Sequence, residues 1–130
     1  MGVEALSLGT VKDVFSEGFV SVREDDTLSN CLSHFKEKRL SALAVLDSKG
    51  KYRGVLSRKW VVRSVLDPST TKVERLMRSA PKVTLNDSLT RVAKLMIESG
   101  VMQLPVFNGE KLLGFVTDED VIQDGVFLRS

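Results

Sequence analysis

The chain has 130 residues, of which 42% are hydrophobic and 28% are charged, and its formal net charge is +2. This balance is typical of a compact globular module and excludes fibrous, disordered and disulfide-dense proteins. No apolar run reaches the roughly 20 residues that cross a bilayer, and residues 1–10 lack the basic start and apolar core of a signal peptide. We therefore expect a cytoplasmic protein without a membrane partner.

The first predicted element is a short helix, and its apolar pattern returns about sixty residues later. Residues at i, i+3 and i+4 form one helical face in each copy: Val11, Val14 and Phe15, then Val73, Leu76 and Met77. This match indicates an internal repeat. The turn-forming segment 67–70 separates the copies, so the predicted repeats are residues 1–68 and 69–130.

A longer amphipathic helix follows in each copy, after the N-cap residues Thr27 and Ser88. Its apolar stripe is Leu28, Cys31, Leu32 and Phe35 in the first copy and Leu89, Val92, Ala93 and Met96 in the second. Cys31 is the single cysteine, which excludes an internal disulfide. Its position in the stripe predicts a small buried hydrophobe.

Two strands and a second helix complete each copy. The predicted strands are 40–46 with 52–57 in the first copy and 101–107 with 112–117 in the second, and each pair is joined by a turn-forming segment. Ser57 and Thr117 end the last strands and are placed to cap the helices that follow. Val61, Val62 and Val65 are predicted to form the apolar side of the first of these helices.

Each copy therefore reads as β-α-β-β-α, and the predicted fold is α/β (α+β) with two such repeats related by an approximate twofold axis. A unit of about sixty residues buries too little surface to be stable alone, so we expect the two repeats to pack together. Their symmetry predicts two equivalent crevices where the repeats meet, and such seams are preferred positions for ligand pockets.

The second repeat carries polar residues at its last strand-to-helix junction, in the segment 114–120. Gly114 allows close approach, Thr117 offers a hydroxyl, and Asp120 can accept two hydrogen bonds from a ribose diol. The same Thr117-x-x-Asp120 spacing is also a helix capping box, which needs no ligand. The residues alone leave both interpretations open.

The first repeat differs at the corresponding positions. Gly54 and Ser57 are retained, but Trp60 stands where Asp120 stands in the second repeat, and indole offers only a donor nitrogen. Arg58 and Lys59 make this junction basic, whereas the second is acidic. The two predicted sites are therefore not equivalent.

Catalytic and metal-binding patterns are not found in the sequence. The single histidine, His34, has no cysteine or carboxylate cluster at metal-ligand spacing, and no Walker loop, dinucleotide-binding glycine motif or nucleophile elbow is present. We therefore expect neither an enzyme nor a resident metal or cofactor.

The residues resemble a known family, the tandem CBS domains that form a Bateman module. The resemblance is carried by the two lead-in helices, the short strands 20–22 and 82–84, the segments 40–43 and 102–106, and above all the motif 114–120. It implies a regulatory module without catalysis. The module would bind AMP, ADP, ATP, S-adenosylmethionine or a related adenosyl compound in its crevices, and it commonly forms a disc-shaped homodimer.

The resemblance also implies roles for individual residues. Asp120 would hold the ribose hydroxyls and Thr117 a phosphate or its equivalent. The expected ligand-binding residues are Asp120, Thr117, Phe115, Val116, Ser16, Val20, Leu40, Ser41, Met102 and Gln103. Candidate contacts to a phosphate or in a second site are Ser57, Arg58, Lys59 and Arg78. Gln103 is neutral where family members often place a basic residue, and Trp60 puts the first-repeat site in doubt.

The leading hypothesis is a stand-alone sensor of an adenosyl ligand that regulates a target protein of unknown identity. One alternative is a structural dimerisation or protein-interaction module, in which Thr117 and Asp120 only cap a helix. The other is an accessory nucleic-acid-binding protein. The basic residues are spread along the chain and form no stripe suited to a phosphate backbone, so nucleic acid is not the expected partner.

Overall fold

The structure is a computed structural model and describes residues 9–122. The helices are α1 (Val11–Val14), α2 (Leu28–Lys38), α3 (Arg58–Arg63), a 3-10 turn (Val73–Arg75), α4 (Leu89–Ser99) and α5 (Asp118–Val121). The strands are β1 (Ser16–Glu17), β2 (Ser21–Arg23), β3 (Ala42–Leu46), β4 (Tyr52–Ser57), β5 (Val83–Thr84), β6 (Gln103–Asn108) and β7 (Lys111–Thr117). Both repeats follow the predicted β-α-β-β-α order, which confirms the mixed α/β fold.

The described residues form two compact units. The first-repeat unit, Phe19–Ser79, contains a three-stranded sheet in the order β2-β3-β4, in which β2 runs parallel and β4 antiparallel to β3. Strand β3 is buried at four successive positions, as expected for a central strand covered on both faces. Its core includes the predicted helix residues Leu28, Cys31 and Phe35.

The second-repeat unit comprises residues 9–18 and 80–122 and contains the sheet β1-β7-β6-β5. Strands β5 and β6 are parallel, whereas β7 is antiparallel to both β6 and β1. The buried residues of helix α4 are Leu89, Val92 and Met96. This unit repeats the β-α-β-β-α arrangement of the first and adds β1 at its edge.

The lead-in segments are exchanged between the repeats. Ser16 of the first lead-in pairs with Phe115 on β7, and Arg78 of the second lead-in forms a bridge with Val55 on β4. The predicted division into 1–68 and 69–130 follows the sequence repeat, whereas the structural units divide after residue 18 and after residue 79. The exchange depends on pairing between residues far apart in sequence, which local patterns do not report.

Helix α3 is shorter than its apolar pattern predicts. It ends at Arg63, and Val65 beyond its end is 99% exposed. Val62 lies within the helix but is 68% exposed, so only Val61 of the three valines is buried. The prediction that Val61, Val62 and Val65 share a buried side is therefore wrong for two of them. Leu32, predicted in the stripe of α2, is also partly exposed at 39%.

Candidate functional site

The end of β7 and the start of α5 form the second-repeat junction, and a capping box joins them. The Thr117 N–H donates to Asp120 Oδ2 at 2.8 Å, and the Asp120 N–H donates to Thr117 Oγ1 at 3.2 Å. Both residues are half-buried. The two hydrogen bonds hold the carboxylate and the hydroxyl in one orientation, so the capping geometry predicted from the Thr-x-x-Asp spacing is present.

Gly114 serves the backbone of its own unit. A Cβ atom at this position would lie 2.8 Å from the Ser16 carbonyl oxygen and 3.1 Å from the Gly18 carbonyl oxygen. The closest neighbours of Gly114 are therefore the peptide groups of the exchanged lead-in segment. The sequence predicted that a ligand would lie close to Gly114. In the structure, the backbone of residues 16–18 occupies that space.

Gln103 lies directly across the sheet from Thr117. The two residues are partners in the antiparallel register of β6 and β7, so their side chains project from the same face. Gln103 is only 6% exposed, and its Oε1 has no hydrogen-bond donor among residues 9–122. A buried acceptor without a partner costs about 1–3 kcal/mol. The sequence predicted Gln103 as a site residue but did not reveal that its amide is buried.

The other predicted residues of this unit surround the same junction. Ser16 is paired with Phe115, and the Met102 carbonyl accepts a hydrogen bond from the Asp118 N–H at 3.0 Å. Val116 is fully buried, whereas Phe115 and Met102 are half-buried. The junction is thus built by β1, β6, β7 and α5, and it gathers the predicted residues Asp120, Thr117, Phe115, Val116, Ser16, Met102 and Gln103.

The first-repeat junction has different side chains on the same backbone. Ser57 ends β4 and is 3% exposed, but its hydroxyl makes no capping hydrogen bond to α3. Its partner across the sheet is Ala42, which corresponds to Gln103. The prediction that Ser57 caps this helix through its side chain is therefore wrong. Thr27 likewise makes no side-chain cap, whereas Ser88 does accept a hydrogen bond from the Arg91 N–H.

Trp60 is covered by an arginine of its own unit. The Arg78 guanidinium carbon lies 5.1 Å from the centre of the Trp60 ring, which is a cation–π distance. The backbone of Arg78 is held in place by two hydrogen bonds to Val55. Arg78 was predicted as a candidate phosphate contact, and its position over the indole gives it a packing role that the sequence did not suggest.

The remaining predicted residues lie around the start of β3 and α3. The Val20 carbonyl accepts from the Ala44 N–H, and the Ser41 carbonyl accepts from the Arg58 N–H at 2.9 Å. Leu40 packs against the core of the first-repeat unit. Arg58 and Lys59 are exposed at the start of α3. These residues belong to one unit, and a shared ligand-binding role for them stays a prediction.

The thiol of Cys31 is not an activated nucleophile. Burial raises the pKa of the Cys31 thiol to about 11, so the thiol is protonated at neutral pH and is a weak nucleophile. Among residues 9–122, no three histidine, cysteine, aspartate or glutamate residues lie close enough to hold a metal ion. None of the helices described is long and apolar enough to cross a membrane.

Comparison with known proteins identifies the family. The family model of the CBS domain matches residues 11–66 and 73–124, which are the two repeats. This chain belongs to the CBS-domain family. A pair of CBS domains is generally a regulatory module, so the chain is a tandem CBS pair of this general class.

Most of this chain also matches individual proteins and solved structures. The chain is 29% identical over 117 residues to "Hypoxic response protein 1" of Mycobacterium tuberculosis, and the match covers 86% of this chain and 82% of that protein. A solved structure of Hypoxic Response Protein I with two coordinated zinc ions is 26% identical, with a TM-score of 0.72 and coverage of 89% and 98%. A hexameric CBS-CP12 protein from bloom-forming cyanobacteria shares the fold at 23% identity and a TM-score of 0.83, covering 93% of this chain and 73% of that one.

Proposed function

We propose that this CBS pair is a regulatory module that binds an adenosine-containing small molecule at the second-repeat junction. Binding would change the packing that a target protein recognises. The observation that carries the proposal is the buried Gln103 Oε1, which has no donor among residues 9–122 and lies across the sheet from Thr117. If the Gln103 amide turns toward the junction, a ligand hydroxyl or amine would satisfy this acceptor and recover the free energy lost by burying it.

The Asp120 carboxylate supports the same proposal. Its capping bond uses Oδ2, and a carboxylate has about four acceptor positions in total. Capping and ribose binding are therefore compatible. Since the cap orients the carboxylate before a ligand arrives, the ligand loses less free energy to ordering of this side chain.

The negative charge of the junction predicts an order of affinity among the candidate ligands. Helix α5 begins with Asp118, Glu119 and Asp120, and three carboxylates within one turn repel added phosphate groups. We therefore propose that S-adenosylmethionine, which carries a positive charge, and AMP bind more tightly than ADP, and that ATP binds most weakly. A second function, self-association without a ligand, is supported by the exposed apolar residues of the helices.

A thermal-shift experiment tests the ligand proposal against a purely structural cap. The ligands are S-adenosylmethionine, AMP, ADP and ATP, each tested on wild type and on Asp120→Ala. At a hundredfold excess over its dissociation constant, a ligand should stabilise wild type by about 2.7 kcal/mol. Asp120→Ala should lose this response.

Asp13→Ala is the matched control. Asp13 also closes a capping box in the second-repeat unit, where the Thr10 N–H donates to Asp13 Oδ2 at 3.0 Å. Both variants lose a capping hydrogen bond, but only Asp120→Ala should lose the ligand response. If no ligand shifts wild type, or if both variants keep the response, the proposed site is wrong.

A further inference from the structure

A groove with a volume of about 500 Å³ lies between helices α2 and α3 of the first-repeat unit. Its lining residues are Leu32, Phe35, Lys36, Arg39, Arg58 and Val62. All six belong to this unit, so the groove is a feature of one repeat. Concave sites of roughly 300–1,000 Å³ are typical of small-molecule pockets. The groove therefore has the size of a ligand site.

The lining of the groove is half apolar and half basic. The apolar residues are Leu32, Phe35 and Val62, and the basic residues are Lys36, Arg39 and Arg58. All three basic side chains are exposed, and none of them forms an ion pair within residues 9–122. Two of the apolar side chains, Leu32 and Val62, are also left partly uncovered. A ligand with an apolar body and an anionic group would satisfy both halves.

The second repeat keeps the apolar positions of this groove and lacks its cations. The residues that correspond to Leu32, Phe35 and Val62 are Ala93, Met96 and Ile122, and those that correspond to Lys36, Arg39 and Arg58 are Ile97, Gly100 and Asp118. Both repeats nevertheless fold as β-α-β-β-α. The fold therefore does not require the three cations, which are specific to the first repeat.

Two of the cations stand at positions that are unfavourable for their helices. Arg39, the C-cap of α2, has a φ of 52° and a ψ of 36°, a left-handed conformation that favours glycine, and its counterpart is Gly100. Arg58 begins α3, where the helix dipole favours an acidic side chain, and its counterpart is Asp118. Strained backbone is concentrated at functional sites. Helix stability therefore does not explain these two arginines.

We propose that the groove between α2 and α3 binds a small anion with an apolar body, a medium-chain carboxylate or an alkyl phosphate ester. Lys36, Arg39 and Arg58 would hold the anionic group, and the apolar body would cover Leu32 and Val62. This site and the second-repeat junction share no residue, so the proposal does not depend on adenosyl binding. Asp120→Ala should bind such an anion as wild type does.

Titration with matched probes tests both parts of the ligand. Octanoate and octyl phosphate carry an anionic group on an apolar chain, octanol keeps the chain without the charge, and inorganic phosphate keeps the charge without the chain. In ¹H–¹⁵N spectra of the wild-type protein, at least one of the two amphipathic anions should shift the amides of residues 32–39 and 58–62. It should bind about tenfold or more tightly than octanol and than inorganic phosphate. Comparison of the two anions distinguishes a carboxylate site from a phosphate site.

Two double variants test the role of the cations. Arg39→Gly with Arg58→Ala should weaken binding of the preferred anion about tenfold. Glycine relieves the left-handed conformation at residue 39, so this variant should unfold at no lower temperature than wild type, and its loss of binding is not a loss of fold. Lys38→Ala with Arg63→Ala removes the same charge from the same helices outside the groove and should leave binding unchanged.

Three results would overturn the proposal. Octanol could bind as tightly as both anions, or the two double variants could weaken binding equally, and either result would show that the groove does not recognise an anion. The third is an absence of groove shifts with both anions, which would leave the groove to a second copy of the chain or to an acidic segment of another protein.

Discussion

The two strand-to-helix junctions share a backbone and differ in the side chains that face the proposed ligand position. Both retain a glycine, Gly54 or Gly114, against which a lead-in peptide group packs. At the other positions Ala42, Ser57 and Trp60 in the first repeat correspond to Gln103, Thr117 and Asp120 in the second. The shared residues are those that the fold requires, whereas the differing ones are those that the proposed ligand would contact.

The largest expected effect is the destabilisation caused by alanine at the glycine that both junctions share. A Cβ atom at Gly54 would lie 2.7 Å from the Arg78 carbonyl oxygen, and one at Gly114 would lie 2.8 Å from that of Ser16. Gly54→Ala and Gly114→Ala should therefore each destabilise the protein by about 2–3 kcal/mol in urea unfolding, because backbone cannot easily move aside. If alanine lowers the free energy of unfolding at only one of the two glycines, the junctions are not structurally equivalent. Gly109→Ala, in the β6–β7 turn, has no such contact and separates this packing effect from strain at positive φ.

The next effect concerns the residue that distinguishes the junctions most sharply. Gln103→Leu removes a buried acceptor without a partner, so the ligand-free protein should become more stable by about 1 kcal/mol. The same variant should lose its response to adenosyl ligands in the thermal-shift experiment. Ala42→Ser, at the corresponding position of the first repeat, should leave that response intact. A Gln103→Leu protein that is less stable than wild type would mean that this amide has a structural role.

Capping should also differ between the junctions. Thr117→Val removes the hydroxyl that accepts from the Asp120 N–H, and we expect a loss of about 1 kcal/mol in the free energy of unfolding. Ser57→Ala should cost clearly less, because the Ser57 hydroxyl makes no capping hydrogen bond to α3. If Thr117→Val and Ser57→Ala lower the free energy of unfolding in urea equally, capping does not differ between the two junctions.

The last difference is a pH dependence that belongs to the first-repeat unit and is absent at neutral pH. Burial raises the pKa of Cys31 to about 11 and that of Tyr52 to about 12. The unfolded chain releases these protons at lower pH than the folded one, so stability is full below about pH 9 and falls as the pH rises toward the folded values. The corresponding residues of the second repeat are Val92 and Leu112, which do not titrate.

Cys31→Val tests whether Cys31 contributes to the loss of stability at high pH. Valine is the residue at the corresponding position of the second repeat, Val92. Urea unfolding between pH 8 and about pH 11 should show a shallower loss of stability in the variant than in wild type. The remaining slope would come from Tyr52 and from other groups that titrate in this range. An unchanged slope would exclude Cys31 as a source.

Local sequence patterns were sufficient to predict the repeat and most of its elements. The strand 52–57 was predicted with the bounds that the structure gives, and the helix stripes placed Cys31 and Phe35 in the core. Alternation and helical spacing report which residues face inward within one element. The Thr117 and Asp120 capping box was visible for the same reason, since both residues lie within one turn.

Features that depend on distant residues could not be predicted. The exchange of the lead-in segments rests on pairing of Ser16 with Phe115 and of Arg78 with Val55. Because of that exchange, Gly114 contacts the chain itself and Arg78 reaches Trp60. Val62 has the spacing of a core residue, but its helix ends one residue later and the side chain stays exposed. Spacing alone does not show where a helix ends.

The binding stoichiometry tests the central claim most directly. Isothermal titration of S-adenosylmethionine and of AMP into wild type should give one site per chain, and Asp120→Asn should abolish it. Asp120→Asn keeps the size of the side chain and removes its charge, so a loss of binding would show that the carboxylate itself is needed. Trp60→Phe, the matched change in the first repeat, should leave one site. Two sites per chain, or unchanged binding by Asp120→Asn, would contradict the account.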